Sequence, residues 1–384
     1  VVEVKNLSDL RLADKHVLVR VDFNVPLNGQ TVTDDHRVKA CLSTIKYLLR
    51  KRAKVALLSH LGRPTEGQFD SNLSLKPVSE VLSNLLEEPV KFMSDWIEGI
   101  DWSTNRVILC ENVRFLRGEN HNDQALAKKM AAMCDVFVND AFACAHRAHA
   151  STTGIACFVD TVCAGPLLLA EINALNRITK SRKKPVVAIV GGAKVSTKID
   201  LLENLANKVD SLIVGGGIAN ALLKALGNDV GNSLVEEKIE DTAKRLVRDH
   251  HNIVLPEDVV CAKSFETDAA GETKEISQVA ENDQILDFGP RSIKRMSKII
   301  KDAETIIWNG PVGVFEFDNF QNGTKSIGES IARSKAFSVA GGGDTVAAIN
   351  KFKLHTDISY ISTAGGAFLE YLEGRELPAL ICLD

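Results

Sequence analysis

The chain has 384 residues and a mass of 41.8 kDa, with 45% hydrophobic residues, 25% charged residues and a formal net charge of −4. That length exceeds one ordinary core and predicts two domains, and the acidic balance argues against a general nucleic-acid binder. No stretch reaches the roughly 18 consecutive apolar residues of a membrane span, so no membrane partner is expected.

The first half alternates apolar runs with amphipathic ones. His16 to Phe23 reads as a strand, followed by Asn24-Val25-Pro26 and a turn at Asn28-Gly29. A helix is predicted from near Thr33-Asp34-Asp35, with Val38, Leu42, Ile45 and Leu49 at helical spacing. Lys54 to His60 is a second strand, broken by Gly62 and Pro64. Pro77 opens a helix carrying Val81, Leu82, Leu85 and Leu86. Arg106–Cys110 and Asp135–Asn139 read as strands flanking a helix from about Asp123 to Met133. This rhythm predicts a parallel, doubly wound sheet.

Gly165-Pro166 starts a helix that runs out into the polar stretch Thr179 to Pro185, and Val186–Val190 then restarts the strand rhythm. The expected organisation is an N-terminal domain over 1–164, a connector helix over 165–180, a second domain over 181–369, and a segment over 370–384 returning to the first domain. The expected fold class is α/β, two doubly wound parallel-sheet, Rossmann-like domains.

In the second half the strands run out into glycine: at Gly191-Gly192, Gly215-Gly216-Gly217, Asn309-Gly310-Pro311, Gly341-Gly342-Gly343 and Ala364-Gly365-Gly366. Parallel strands present their carboxyl ends on one edge, where ligands bind, so these turns predict an anion-facing rim. Gly341-Gly342-Gly343-Asp344-Thr345 adds a carboxylate suited to a metal and a hydroxyl donor. Lys194 and Lys198 stand four apart after Gly192, a spacing that predicts both ammonium groups on one face of the following helix. The Gly215 turn is a poor dinucleotide fingerprint, because Asn220 replaces the third glycine; a close-packed turn against an adenine or ribose is an equal reading. Glu316, after Trp308, suits ribose hydroxyls, although Trp308 to Glu316 also reads as a rigid structural turn.

The first half carries positive groups at or just past strand ends: Arg20, Arg37, His60, Arg63, Arg114, His146, Arg147 and His149. Singly, each arginine reads as a surface ion pair. Together they suggest a site for a small, multiply anionic substrate, because guanidinium forks match phosphate and carboxylate. Asp22 and Asn24 are placed to bond substrate hydroxyls. The histidines read as hydrogen-bonding or core groups rather than metal ligands. The eight cysteines form no C-x-x-C pair, the reduced-thiol pattern of a cytoplasmic protein, and the opening Val1 to Lys5 lacks the regions of a signal peptide.

Seven motifs in order carry a resemblance along the whole chain. They are Arg20 to Pro26, Ser59 to Pro64, Glu111 to Phe115, Ala145 to His149, Gly192 to Val195, Trp308 to Glu316 and Gly341 to Thr345. The chain resembles the phosphoglycerate kinase family in its compact bacterial form. The resemblance implies a glycolytic and gluconeogenic phosphotransferase with a carboxyl acceptor. It would move a phosphoryl group between 1,3-bisphosphoglycerate and ADP, giving 3-phosphoglycerate and ATP, with Mg²⁺. It implies a cytoplasmic monomer whose partners are these small molecules, and in-line transfer after hinge-bending closure of the domains.

By the same likeness Arg20, Asp22, Phe23, Asn24, Arg37, His60, Leu61, Gly62, Arg63, Arg114, His146 and Arg147 form the phosphoglycerate site. Gly192, Lys198, Gly216, Asn309, Pro311, Gly313, Glu316, Gly342, Gly343, Asp344 and Thr345 form the nucleotide site, with Asp344 toward the metal. Arg37, Lys194, Lys198 and the Gly366 N–H are the expected catalytic groups. A carboxylate acceptor is already ionised near neutral pH, so no general base is needed, and a loose phosphoryl transition state asks for positioning and positive charge. Two departures stand out: Ala364 where the family has glycine, and Ala143-Cys144 where it has Gly-Thr. If position 364 requires a positive φ, alanine there is strained.

Overall fold

The computed structural model describes residues 5–103, 105–180, 182–236 and 238–383. Val1 to Val4, most of the opening stretch read for a leader, lie outside them, as do Ser181, where the second domain was expected to start, and Asp384. The chain forms two compact units: residues up to Ile172 with those from Glu376 onward, and Asn173–Arg375.

The first unit runs β1 (His16–Arg20), a hairpin of β2 (Leu27–Asn28) and β3 (Thr31–Val32), α1 (His36–Arg50), β4 (Lys54–Leu58), α2 (Lys76–Leu86), β5 (Val90–Met93), β6 (Val107–Cys110), α3 (Gln124–Ala131), β7 (Val136–Asn139), β8 (Val162–Ala164) and the start of α4 (Pro166–Thr179). Its main sheet has the order β5-β6-β4-β1-β7-β8, with every pairing parallel. Alternation along the strands puts Val17 and Val19 in one core with α1 and α2, and Leu18 in another with α3. Both faces are therefore covered, as parallel sheets require. The local signals act as expected at the helix starts. Asp34 Oδ1 accepts the His36 N–H at 2.9 Å, Asp123 Oδ1 accepts that of Leu126 at 2.8 Å, and Pro77 sits in the first turn of α2.

The first strand stops at Arg20, short of Phe23. Past it, Phe23 donates its N–H to Ser59 Oγ at 2.8 Å, and the side chains of Asp22 and Asn24 accept the N–H groups of Asn24 and Gly62. The short strands β5 and β8 carry no period of their own and are edge strands that pairing creates.

The second unit contains β9 (Val186–Val190), α5 (Ile199–Ala206), β10 (Ser211–Val214), α6 (Gly216–Ala225), α7 (Glu240–Asp249), β11 (Ile253–Val254), β12 (Asp258–Ala262), β13 (Glu272–Glu275), β14 (Gln284–Phe288), α8 (Pro290–Lys301), β15 (Thr305–Asn309), α9 (Asn322–Arg333), β16 (Phe337–Gly341), α10 (Gly343–Phe352), β17 (Tyr360–Ser362) and α11 (Gly366–Leu372). The parallel sheet has the order β11-β10-β9-β15-β16-β17, which is the 3-2-1-4-5-6 winding of a doubly wound fold. A separate antiparallel sheet, β13-β12-β14, interrupts the rhythm. The last helix, α12 (Pro378–Ile381), belongs to the first unit, where Ala379 donates its N–H to Ala145 O at 3.1 Å. Among the described residues no helix is long and apolar enough to cross a membrane.

Candidate functional site

In the first unit the site grows from the carboxyl ends of β1 and β4. Arg20, the last residue of β1, is 1% exposed rather than a surface ion-pairing group. Its Nε donates to Ser151 Oγ at 3.0 Å, its Nη1 to Val21 O at 2.5 Å, and its Nη2 to His60 Nδ1 at 3.3 Å. A guanidinium can only donate, so Nδ1 of His60 must be the acceptor and Nε2 carries the proton. Burial, and then the charges of Arg20 and Arg114, hold the His60 pKa well below the usual range, so the ring is neutral. It offers a single N–H donor.

Asp22 accepts the Asn24 N–H through Oδ1 at 3.2 Å and the Arg37 Nη1 through Oδ2 at 2.5 Å. Arg37 stands in the first turn of α1. Asn24 Oδ1 accepts the Gly62 N–H at 2.9 Å, and Gly62 O accepts Arg114 Nη1. Behind them Asn112 works as a brace. Its Oδ1 accepts the N–H groups of Leu61 and Arg114, and its Nδ2 donates to Leu61 O. Arg114 is buried and its Nε has no hydrogen-bond partner among the described residues. Among the described residues, neither Arg20 nor Arg114 has a carboxylate within ion-pairing distance.

The other expected residues divide. His146 and Arg147 are linked, Arg147 Nε donating to His146 Nε2 at 3.1 Å. Arg63 is exposed beside the Gly62 turn. The side chains of Phe23 and Leu61 belong instead to the hydrophobic core, 0% and 3% exposed, so only their backbone reaches the site. The departure at Cys144 places a thiol 3.6 Å from Arg20 Nη2 and 3.7 Å from His60 Nδ1. Asp22, His60 and Cys144 bring possible ligand atoms within 4.8 Å of one another. Arg20 and Arg37 already donate to these groups, and so much adjacent positive charge favours an anion over a cation.

In the second unit five glycine turns lie at the carboxyl ends of five adjacent parallel strands, β10, β9, β15, β16 and β17. The centre is crowded. The Gly191 N–H donates to Asn309 O at 2.9 Å, and a Cβ on Gly191 would meet Pro311 O at 1.7 Å. Only glycine permits that approach, where the chain reverses its winding direction between β9 and β15. Gly216 and Gly217 pack against Gly192 and Ala193 in the same way, so the Gly215 turn is close-packed on its neighbour.

Lys194 and Lys198 do not lie on a helix. Helix α5 begins at Ile199, and Lys198 is its N-cap residue. The turn after Gly192 carries Lys194 out to solvent and folds Lys198 inward. The Lys198 ammonium donates to Gly191 O at 2.6 Å and Asn309 Oδ1 at 2.7 Å. Burial lowers its pKa to about 8, against the opposing charge of Asp344.

Gly342, with φ of +99°, caps α10, whose first turn carries Gly343, Asp344 and Thr345. Asp344 is exposed and lines a pocket of about 460 Å³ with Gly192, Gly216, Pro311, Gly313 and Glu316. The Thr345 hydroxyl is not free for a ligand. It is fully buried, accepts the Gly310 N–H at 2.7 Å and donates to Gly341 O at 2.8 Å. Asn309 is likewise committed, Nδ2 donating to Gly341 O at 2.7 Å. Gly366 opens the short helix α11 after Gly365, which has φ of +56°. Ala364 has an ordinary negative φ, so the alanine departure carries no strain.

Motif reading passed over the pocket's other wall, Leu234, Phe265, Leu286, Asp287 and Phe317. Leu286 and Asp287 lie on β14 and Phe265 between β12 and β13, while Leu234 and Phe317 come from the connections after α6 and β15. Leu234 and Phe265 are large apolar side chains left exposed there, which residue type alone does not reveal. Asp287 is 2% exposed, and burial raises its pKa to about 7.

The profile of the family described as phosphoglycerate kinase matches residues 7–375. The chain is 54% identical over 378 residues to a protein named phosphoglycerate kinase from Francisella tularensis subsp. novicida, covering 97% of this chain and 96% of that one. A structure of phosphoglycerate kinase from Coxiella burnetii superposes with a TM-score of 0.96 at 48% identity, covering 99% and 98% of the two chains. One from Pyrococcus horikoshii OT3 gives 0.81 at 31% identity, covering 98% of each.

Proposed function

The chain belongs to the phosphoglycerate kinase family, and from that premise we propose that it transfers a phosphoryl group reversibly between 1,3-bisphosphoglycerate and ADP, giving 3-phosphoglycerate and ATP. The observation that carries the reading is the pair of buried guanidiniums, Arg20 and Arg114, without a directly bonded carboxylate among the described residues. A buried cation is costly unless paired, and an anionic substrate supplies the missing charge.

The acid binds to the first unit. Arg114, Arg63 and Arg147 hold its phosphate, while Asp22, Asn24 and the Nε2–H of neutral His60 address its hydroxyl and carboxylate. The nucleotide binds to the second unit in the 460 Å³ pocket, with its phosphates over the glycine rim. Glu316 takes the ribose, and the backbone N–H groups at the start of α10 take phosphate oxygens, since the first N–H groups of a helix have no intrahelical partner. Asp344 fits a Mg²⁺ bound with the nucleotide, because an exposed carboxylate among phosphate oxygens is a hard donor of the kind that ion prefers. That ion would neutralise phosphate charge there.

The acceptor carboxylate is anionic at neutral pH and attacks without a base. Arg37, Lys194, Lys198 and the Gly366 N–H then stabilise charge on the phosphoryl oxygens in transit. In-line transfer requires both half-sites to reach one phosphoryl group, so we include domain closure in the proposal. A coupled assay with Mg-ATP and 3-phosphoglycerate tests the reaction; absence of turnover would sink it. Scattering curves that stay identical with and without both ligands would remove closure.

A further inference from the structure

Arg20 is a buried cation whose nearest bonded neighbours are all neutral: a hydroxyl, a carbonyl, an imidazole and a thiol. The nearest acid lies one hydrogen bond further on, at Glu119, whose pKa burial raises and the charge of Arg20 lowers. Glu119 is 0% exposed, and its Oε1 accepts the Ser151 hydroxyl at 2.5 Å while its Oε2 accepts the Ser151 N–H at 2.9 Å. The Glu119 carbonyl accepts the Ala150 N–H at 3.0 Å, so the same residue anchors the turn from both its side chain and its backbone.

We infer that Glu119, acting through the Ser151 hydroxyl, is a positioning residue that orients Arg20 and thereby sets the His60 tautomer for the acid substrate. The inference rests on the phosphoglycerate reading of the site for its substrate, but not for its geometry. A serine hydroxyl has one hydrogen. The Ser151 hydroxyl donates that hydrogen to Glu119 Oε1 at 2.5 Å, which leaves only lone pairs facing Arg20 Nε. Arg20 Nε, fixed by that acceptor, directs Nη2 onto His60 Nδ1, and the ring proton is held on Nε2. Without the carboxylate the hydroxyl hydrogen is free to turn toward Arg20, and two donors would oppose each other.

The interposed hydroxyl has a second consequence. A carboxylate bound directly to the guanidinium would occupy its edge and cancel its field at the site. Glu119 instead reaches the guanidinium only through the Ser151 hydroxyl, and Nη2 keeps its place on the imidazole. His149 Nδ1 stands 3.8 Å from Glu119 Oε1, and burial lowers its pKa to about 4, so it brings no competing charge near neutral pH.

The test compares Glu119→Gln, Ser151→Ala, Ser151→Thr and the double variant Glu119→Gln with Ser151→Ala. Steady-state kinetics vary 3-phosphoglycerate at saturating Mg-ATP, and the reverse. Histidine nitrogen NMR on the free protein reads the His60 tautomer. We expect each of the first two variants to raise the KM for 3-phosphoglycerate about tenfold, the scale of one hydrogen bond to a charged group. The KM for Mg-ATP stays within about twofold on the same argument, Ser151→Thr keeps near-normal kinetics, and the double variant is no worse than the poorer single one. The His60 spectrum changes from a single Nε2–H form to a mixture. Equal changes in both KM values, additive effects, or an unaltered His60 spectrum in Glu119→Gln would overturn the inference. The spectrum needs no substrate. If the unaltered protein shows no turnover while Glu119→Gln still scrambles the tautomer, the reaction assignment fails and the positioning role stands.

Discussion

Lys198 reaches across 111 positions of sequence to place its ammonium 2.7 Å from the carboxamide oxygen of Asn309. The same carboxamide donates to Gly341 O, and the same ammonium donates to Gly191 O. One lysine and one asparagine therefore tie together the carboxyl ends of β9, β15 and β16, the three strands that frame the glycine rim. Positive charge is thus held at the rim before any phosphate arrives, which is the preorganisation that electrostatic catalysis requires.

This arrangement predicts proton uptake on nucleotide binding. Burial lowers the Lys198 pKa to about 8, and a polyphosphate beside it restores the ordinary range. Above pH about 8 the free protein carries a partly neutral lysine that must be charged on binding. Nucleotide affinity should fall by up to about tenfold per pH unit there, and calorimetry in buffers of different protonation heat should detect the proton taken up. The Lys198→Met variant should show neither. Binding at pH 9 without proton uptake would contradict the assignment. In the unliganded protein the sign is also set: the unfolded state binds the extra proton, so this group makes stability rise with pH between about 8 and the ordinary lysine range.

Asp287 should produce the opposite slope at lower pH. Its Oδ2 accepts the Gly323 N–H at 2.7 Å, whereas its Oδ1 has no hydrogen-bond partner among the described residues and abuts Gly313 and Gly323. Burial raises its pKa from 3.8 to about 7. The folded state holds the proton through that window and the unfolded state does not, so stability from this group declines as pH rises from about 4 to 7 and stays reduced above it. In Asp287→Asn the melting temperature relative to the unaltered protein should therefore be more favourable at pH 8 than at pH 5. A constant difference across that range would count against a buried, protonated carboxyl.

Arg37 should separate turnover from nucleotide binding. It stands in the first unit, paired with Asp22 at 2.5 Å. In Arg37→Ala, kcat should fall by at least about 100-fold, the scale of losing one transition-state donor, while the dissociation constant for ADP stays within about twofold. Stopped-flow or steady-state rates beside equilibrium ADP binding make the comparison. Near-normal turnover would remove Arg37 from the transition state.

The departure at position 364 should be silent, and its neighbour should not be. Ala364 has an ordinary φ, so Ala364→Gly should leave kcat/KM unchanged and cost no more than about 1 kcal/mol through unfolded-state entropy. Gly365 has φ of +56° and ψ of −106°, and a Cβ added there would meet nothing within 4 Å. Gly365→Ala should cost about 1–3 kcal/mol from backbone strain alone, because no contact opposes the methyl group. Chemical denaturation of the two variants distinguishes these outcomes.

Much of the architecture was legible because it is written locally. Near-continuous apolar runs such as Val17 to Val19 and Val186 to Val190 mark buried parallel strands, and the Asp34, Pro77 and Asp123 signals mark helix starts. Glycine at five strand ends pointed to the rim, since close approach of backbone to backbone or phosphate needs a residue without Cβ. The small sheet β13-β12-β14 was not legible. Its strands, such as Glu272–Glu275, are polar on their exposed face and gain stability from cross-strand pairing rather than from a local period.

The sequence by itself determined which chemical groups the protein brings to its ligands: arginines and a histidine in the first unit, glycines, a lysine and an acid in the second. Tertiary structure alone decided how each group is used. It took the Thr345 hydroxyl and the Asn309 carboxamide out of ligand contact and into the frame, turned Lys198 inward while Lys194 faced solvent, and buried Arg20 behind a serine that answers to Glu119. The physical reason is that residue type fixes charge and donor count, whereas exposure, pKa and hydrogen direction depend on neighbours distant in sequence, such as Glu119 and Ser151 around Arg20.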